Sequence, residues 1–342
     1  DFDGEAYRTV SGQNSNNSVR VSDSFMRAVR ENGLWKLRAR TGRKKILRTL
    51  PAREIWDQIV AAAWESADPG LQFDDTINKW HTCIEAGRIT ASNPCSEYLF
   101  LDDSACNLAS LNLISFLDED GYFDLPAFLH TARTIFIAQD LLIDLAGYPT
   151  KLIEQNSRDY RPIGLGFCGL GAFLMRKGIP YDSNEARSWA SILAALLHGQ
   201  SLLTSTELAH SLGVFPKYKK VEKSFLKVLH KQAAGLRKID YSFVSKEVQK
   251  KLSEIWARVL VDGAHFGFRN SQFTVMAPTG TIGLVMDSDT MGIEPEYALV
   301  RTKKMAGGGK LQLMSQSVLI GLKKLGYACP QIEKIEKFLL EN

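Results

Sequence analysis

Along this 342-residue chain, long stretches with apolar residues at helical spacing, 126–147 and 185–212, alternate with apolar runs too short to be helices. That alternation limits the fold more than any other feature, because short strands separated by longer helices imply an α/β architecture. Residues 22–33, 51–67 and 245–260 also read as helices, with Pro51 where a first helical turn tolerates proline. The stretch 185–212 is rich in alanine, serine and leucine and is expected to be buried. LWKLRARTGRKKILRTL (34–50) alternates around Thr41-Gly42 and reads as a hairpin, and SQFTVMAPTGTIGLVM (271–286) reads as a β-branched apolar run. The lysine-rich stretch 217–238 reads as a solvated helical face. No repeat or low-complexity linker marks an internal boundary, so residues 1–342 are taken as one domain.

A hydrophobic content of 45% is enough for a substantial core, and a formal charge of +4 is too small to point to nucleic acid but suits anionic small substrates such as nucleotides. The five cysteines are scattered without a CxxC pair, which argues against a disulfide scaffold and against a zinc ribbon. The first residues lack the basic flank and apolar core of a signal peptide, and no apolar run approaches the roughly 18 residues of a membrane span. The expectation is a cytoplasmic chain with reduced thiols and no membrane partner.

ASNPCSEYLF (91–100) places Asn93, Cys95 and Glu97 at every second position around Pro94. Proline removes a backbone donor and pushes Asn93 out of the α region, so the stretch is expected to be extended. At a rise of roughly 3.3 Å per residue, an amide, a thiol and a carboxylate would then share one side. An alternative makes Cys95 a small buried hydrophobe, with Asn93 and Glu97 bonding a loop. If the chain turns back at Asp102-Asp103, Cys106 could approach the same place. His81, Cys83, Cys95 and Cys106 lie close enough in sequence to raise zinc, although ligands normally come in tight local pairs and His81-Thr82-Cys83 is a poor one. A cysteine-hydrolase reading needs a histidine base, and His81 and His265 carry no local signature. A carboxylate two residues from a thiol raises its pKa, so the pair makes better sense if the cysteine carries a hydrogen atom and the glutamate a proton.

Two glycine motifs remain. APTGTIG (277–283) offers backbone N–H groups and two hydroxyls as a cradle for phosphate oxygens, but no Gly-Lys-Ser/Thr makes it a Walker A loop. GLGFCG (164–169) matches a dinucleotide pattern, but the polar, proline-ended SRDYRP before it speaks against a strand leading in. Close backbone packing as a helix begins is the expected role.

NPCSEY, CNLASLNL and APTGTIG together resemble the catalytic core of ribonucleotide reductases, most of all the adenosylcobalamin-dependent (class II) large chains. GQNSNNSVRV (12–21), ESADPG (65–70), WHTC (80–83), RPIGLGFCGLG (161–171) and GIEPEYALV (292–300) are also similar to that family, so the resemblance covers almost the whole chain. It implies a ten-stranded α/β barrel, here partial, with the early strands absent and a radical loop in its centre. The implied reaction is reduction of ribonucleotides to 2′-deoxyribonucleotides, an oxidoreductase activity of the ribonucleoside-diphosphate reductase type that supplies DNA precursors. The resemblance makes Cys95 the thiyl radical that removes the ribose 3′ hydrogen, Glu97 the acceptor of the 3′-hydroxyl proton and Asn93 a hydrogen-bond partner of the sugar hydroxyls. Cys106 matches the second cysteine of the redox pair. Pro278, Thr279, Gly280, Thr281 and Ile282 match the substrate phosphate loop, and Ser15, Asn16, Asn17 and Ser18 lie in a motif near the nucleotide.

The implied cofactor is adenosylcobalamin, with no metal bound directly by side chains. The implied partners are a ribonucleotide, a thioredoxin-like or thiol reductant, a separately encoded N-terminal fragment and a second copy in a homodimer. Cys83, Cys168 and Cys329 do not match the family's first redox cysteine, so the chain is expected to be an internal piece, incomplete at both ends, that does not turn over alone. The rivals are a class I large chain driven by a radical-bearing partner subunit, against which no Tyr-Tyr pair occurs here, and a non-catalytic nucleotide-binding remnant.

Overall fold

The computed structural model describes residues 15–304 and 310–341, with Glu5 and Thr9 as isolated positions. Two compact units divide the chain, one ending at Asp102 and one beginning at Asp103.

In the first unit, β1 (Ser18–Val21) leads into α1 (Asp23–Arg30), whose Ser22 cap accepts from the Phe25 N–H at 3.2 Å. Such a cap is worth about 1 kcal/mol. β2 (Leu34–Arg38) and β3 (Ile46–Pro51) form the expected hairpin, with Gly42 at φ +67° in its loop. Pro51 precedes α2 (Ala52–Ser66), and β4 (Gly70–Phe73) then pairs parallel with β1, Arg20 opposite Gln72, before α3 (Asp74–Lys79). Val21, Phe25, Val29 and Ala52 form a small core against which Trp35, Ile55, Trp56 and Leu71 pack. Removing these side chains from water is what sets β1 and β4 against α1 and α2.

The second unit is built on parallel strands. β5 (Asn107–Asn112) is followed by a short 3-10 turn, α4 (Leu125–Leu145) and α5 (Lys151–Tyr160), and β6 (Pro162–Cys168) then returns parallel to β5. α6 (Leu170–Arg176), α7 (Asn184–Leu212), α8 (Tyr218–Gly235) and α9 (Lys246–Phe266) separate β6 from β7 (Gln272–Thr274), again parallel. The order β5-β6-β7 with helical crossovers is the α/β pattern that the spacing implies. Asp124, Thr150, Ser183 and Ser245 cap α4, α5, α7 and α9 through their side-chain oxygens. α7 is buried along much of its length, and its interior hydroxyls are satisfied locally: Ser201 donates to the Leu197 carbonyl and Thr204 to the Gln200 carbonyl, each at 2.8 Å. On α8, Val221, Phe225, Val228 and Leu229 are buried while Lys219, Lys220, Lys223 and Lys227 are not, so the lysine-rich stretch is a helix with one solvated face.

Two expectations need correcting. Residues 271–286 are not one strand: β7 ends at Thr274, and α10 (Gly280–Val285) begins within the same run. GLGFCG is itself mostly strand: residues 164–168 belong to β6, which is buried from end to end, and what leads in is the end of α5 and not a strand. The polar residues before it misled because Arg161, only 3% exposed, is held in ion pairs rather than in water. Its Nε donates to Asp140 Oδ1 at 3.0 Å and its Nη1 to Asp144 Oδ1 at 2.8 Å, while Asn270 Nδ2 donates to Asp140 Oδ1 at 2.8 Å. Buried charges persist only when paired in this way, and this one anchors the start of β6.

β8 (Val300–Lys304) and β9 (Lys310–Met314) pair antiparallel ahead of α11 (Gln316–Lys324) and α12 (Cys329–Glu341). Among the described residues the strands form three two-stranded sheets and one three-stranded sheet, with no closed barrel. No helix of the described residues is long and apolar enough to cross a membrane.

Candidate active site

Residues 93–98 form a tight turn, not the extended segment expected. The Ser96 N–H donates to the Asn93 carbonyl at 3.1 Å, closing a four-residue turn with Pro94 and Cys95 at its two central positions. Proline suits the first central position as well as it suits a strand, because its fixed φ serves both. Ser96 adopts φ +64°, and the chain reverses through it. A second closure surrounds the first, the Asn93 N–H donating to the Tyr98 carbonyl at 3.3 Å and the Tyr98 N–H to Asn93 Oδ1 at 2.9 Å. The amide, thiol and carboxylate are thus gathered by a turn whose apex carries Cys95 as an exposed free thiol.

Their surroundings differ in chemistry. The oxygen of the Asn93 amide is spent on Tyr98, which leaves its Nδ2 group to donate. Glu97 Oε2 is withdrawn from solvent and has no hydrogen-bond partner among the described residues. A buried carboxylate oxygen without a donor is costly, and a substrate hydroxyl would satisfy it.

Behind the turn lies a polar network that the sequence did not announce. Gln72 on β4 is 6% exposed, and its Nε2 donates to Ser92 Oγ at 2.7 Å and Ser96 Oγ at 2.8 Å. Its Oε1 accepts from Arg20 Nη2 at 2.7 Å, and Arg20 also donates to the Ile89 carbonyl and to Asp74 Oδ1. The one clue in the sequence is a glutamine between Leu71 and Phe73 in a short apolar strand.

His81 and Cys83 serve the fold here. His81, 2% exposed, holds the Gly87 carbonyl through Nε2 at 3.0 Å and accepts from the Cys83 N–H at Nδ1, so it is the neutral Nε2–H tautomer. Burial pushes its pKa down to about 4 and the Cys83 thiol up to about 12. Among the described residues no group of three or more His, Cys, Asp or Glu is arranged to hold a metal. Ser15, Asn16, Asn17 and Ser18 are exposed at the entry to β1, where the Asn17 carbonyl accepts from the Gly70 N–H at 2.8 Å; Gly12–Asn14 of the same motif lie outside the described residues.

The remaining candidates belong to the second unit. Asp103 takes φ +53°, so the chain does turn there. Cys106 stands at the head of β5 beside Gly164 of β6, where an added Cβ would lie 2.5 Å from its Sγ. A Cβ at Gly166 would meet the Val275 carbonyl oxygen at 2.5 Å. Gly164 therefore admits Cys106, and Gly166 the Val275 carbonyl, to close contact with β6. Pro278–Ile282 lie where the chain leaves β7 and enters α10. Thr279 is left-handed at φ +50°, and its hydroxyl donates to the Pro278 carbonyl at 2.8 Å and accepts from the Gly292 N–H at 2.7 Å. Of the loop's two hydroxyls, Thr279 shapes the backbone and Thr281 is exposed.

A family model described as the barrel domain of ribonucleotide reductase matches residues 4–339. The chain belongs to that family. A protein named vitamin B12-dependent ribonucleotide reductase from Rhodopirellula baltica is 48% identical over 347 residues, covering all of this chain and 33% of that protein. A protein of the same name from Bradyrhizobium diazoefficiens is 46% identical over 354 residues, covering 99% of this chain and 28% of that protein. A vitamin B12-dependent ribonucleoside-diphosphate reductase from Mycobacterium tuberculosis is 36% identical over 299 residues, covering 87% of this chain and 37% of that protein. This ribonucleotide reductase barrel chain thus spans about a third of the length of these curated relatives. Of its candidate site residues, Asn93, Cys95 and Glu97 come together on one turn of the first unit, while Cys106 and Pro278–Ile282 belong to the second.

Proposed function

We propose that this chain carries the catalytic core of an adenosylcobalamin-dependent ribonucleotide reductase, converting ribonucleotides to 2′-deoxyribonucleotides. The observation that carries the reading is the 93–98 turn, with an exposed thiol at its apex, a free amide donor at Asn93 and an unpartnered carboxylate oxygen at Glu97. The same features fit the cofactor: the Cys95 thiol is open to a bound group, and the carboxylate is free to move a proton. Adenosylcobalamin, when bound, supplies the one-electron chemistry that leaves Cys95 as a thiyl radical.

The Cys95 sulfur then takes the 3′ hydrogen of the ribose, forming S–H and leaving a carbon radical. Glu97 accepts the 3′-hydroxyl proton, and Asn93 Nδ2 donates to a sugar hydroxyl and holds the ring in register. The 2′ hydroxyl takes a proton from the redox thiol pair and leaves as water. Cys106 and a second thiol supply two electrons and become a disulfide, and the hydrogen on Cys95 returns to C3′. The balance is one ribonucleotide and two thiols to one deoxyribonucleotide, one disulfide and one water. A thioredoxin-like protein or small thiol re-reduces the disulfide, which suits a cytoplasmic setting. Pro278–Ile282 hold the substrate phosphate, with Ser15–Ser18 near the nucleotide. The reading further takes residues 1–342 as one catalytic domain whose parallel strands belong to a ten-stranded α/β barrel, in a homodimer and with an N-terminal portion encoded in the same chain or apart.

The test is electron paramagnetic resonance on this chain, with and without a supplied N-terminal fragment, in the presence of adenosylcobalamin, thiol reductant and nucleotide. A radical signal that disappears in Cys95→Ser supports the assignment. A signal unchanged in that variant, or absent from folded, nucleotide-bound protein in both mixtures, overturns it.

A further inference from the structure

We infer that Gln72 is a positioning residue for Cys95, acting through the hydroxyls of Ser92 and Ser96; the catalytic meaning of this rests on the proposed role of Cys95. The orientation of the Gln72 amide follows from its partners. Arg20 can only donate, so the atom that meets its Nη2 at 2.7 Å is the carbonyl oxygen Oε1. The amide nitrogen must then face Ser92 Oγ and Ser96 Oγ, and its two N–H groups match the two hydroxyl acceptors one for one. Ser92, accepting from Gln72, has its own proton free and donates it to the Asn93 carbonyl at 2.7 Å. That carbonyl is the one that also accepts from the Ser96 N–H to close the turn.

One side chain of β4 therefore grips the turn on both flanks of Pro94-Cys95. Ser96 most needs such a hold, since its left-handed backbone is disfavoured for a residue with a Cβ. The grip is itself fixed from behind by Arg20, which joins β1, β4, the Ile89 carbonyl and Asp74. A thiol that exchanges a hydrogen atom with a substrate carbon must be placed to within a fraction of an ångström, and an exposed turn does not achieve that alone.

The experiment uses the full chain and reads geometry rather than turnover. Amide hydrogen exchange is measured over residues 93–98, and a nitroxide on Cys95 is followed by its spectral line shape in a Cys106→Ser, Cys329→Ser background. Gln72→Leu, similar in size but unable to donate, is expected to cut protection of the Ser96 and Tyr98 amides roughly tenfold, the scale of one or two lost hydrogen bonds, and to sharpen the nitroxide spectrum. Gln72→Glu keeps the Arg20 pair and can accept from the Ser96 hydroxyl, but the single Ser92 proton is already given to the Asn93 carbonyl, so it should restore only part of the protection. The Ser92→Ala, Ser96→Ala double variant should reproduce the Gln72→Leu effect, and adding Gln72→Leu to it should change little further. Unchanged protection in both Gln72→Leu and the serine variant overturns the inference. Strict additivity between them overturns it too, because Gln72 would then act by another route. Failure of the catalytic reading shows separately, as a radical signal indifferent to Cys95→Ser while the exchange results stand.

Discussion

Cys95 and Cys106 are eleven residues apart in sequence and are held by opposite means. Cys95 rides on an irregular turn closed by backbone hydrogen bonds and held by the Gln72 side chain of β4, which Arg20 of β1 braces from behind. Cys106 stands at the head of a parallel strand, placed by a backbone ladder and by a neighbour that has no side chain. The first arrangement is sensitive to polarity and the second to volume. A turn can put a thiol where no regular element would, at the cost of needing a dedicated polar clamp, whereas a strand fixes its residues through pairing alone.

The largest effect should separate the two thiols by chemistry. On the proposed function, Cys95→Ser is expected to abolish both deoxyribonucleotide formation and isotope release from the ribose 3′ position in reductase assays. Cys106→Ser should stop net reduction yet keep 3′ release, since that step precedes the need for electrons. Glu97→Gln keeps the shape of the side chain but cannot accept the proton, and should slow 3′ release by about 10²- to 10⁴-fold. Loss of 3′ release in Cys106→Ser equal to that in Cys95→Ser would remove the distinction.

A smaller effect tests, through acid, the His81 contact with the Gly87 carbonyl that precedes the turn in sequence. With the pKa of His81 lowered to about 4 by burial, against an ordinary value of 6.5, folded and unfolded chains are both neutral there above about pH 6.5. Between those values the unfolded chain binds a proton that the folded chain does not, so stability falls as pH drops, by at most about 3 kcal/mol in all. His198, whose Nδ1 meets Thr274 Oγ1 at 2.8 Å, is likewise held down to about 4 by desolvation, so acid also weakens the sheet. The discriminating variant is His81→Gln. It should flatten the acid loss of hydrogen-exchange protection over 81–97 and leave that over 107–112 as it was; an unaltered acid slope over 81–97 would assign the effect elsewhere.

The sequence was informative where structure is local. Helix spacing, the hairpin around Gly42 and the association of Asn93, Cys95 and Glu97 all depend on residues a few positions apart. It failed where distant partners decide. Gln72 clamps a turn more than 20 residues away in sequence, and Arg20 reaches Gln72 across 52 positions, so neither looks functional in its own neighbourhood. Arg161 reads as a surface residue until Asp140 and Asp144 are brought to it, and that hid the strand after it. Proline at 94 permits both a strand and a turn, and the hydrogen bonds of Asn93, Ser96 and Tyr98 choose between them.

The smallest predicted effect probes the volume control at Cys106. Gly164 lies in a strand with an ordinary backbone, so alanine is conformationally allowed there and its cost is steric: the new methyl would meet Cys106 Sγ at 2.5 Å, Leu108 Cδ2 at 2.7 Å and Val275 Cγ2 at 3.1 Å. Overpacking of this kind costs typically 1–3 kcal/mol, so Gly164→Ala should lower the urea midpoint and, by displacing the sulfur, change the alkylation rate of Cys106 several-fold. Gly147→Ala, with nothing within 4 Å of the added methyl, should do neither. Gln72→Leu, which loosens the Cys95 turn, should leave Cys106 alkylation untouched. If Gly164→Ala leaves Cys106 alkylation unchanged while the urea midpoint falls, Leu108 and Val275 have absorbed the methyl, and the strand ladder alone places the thiol.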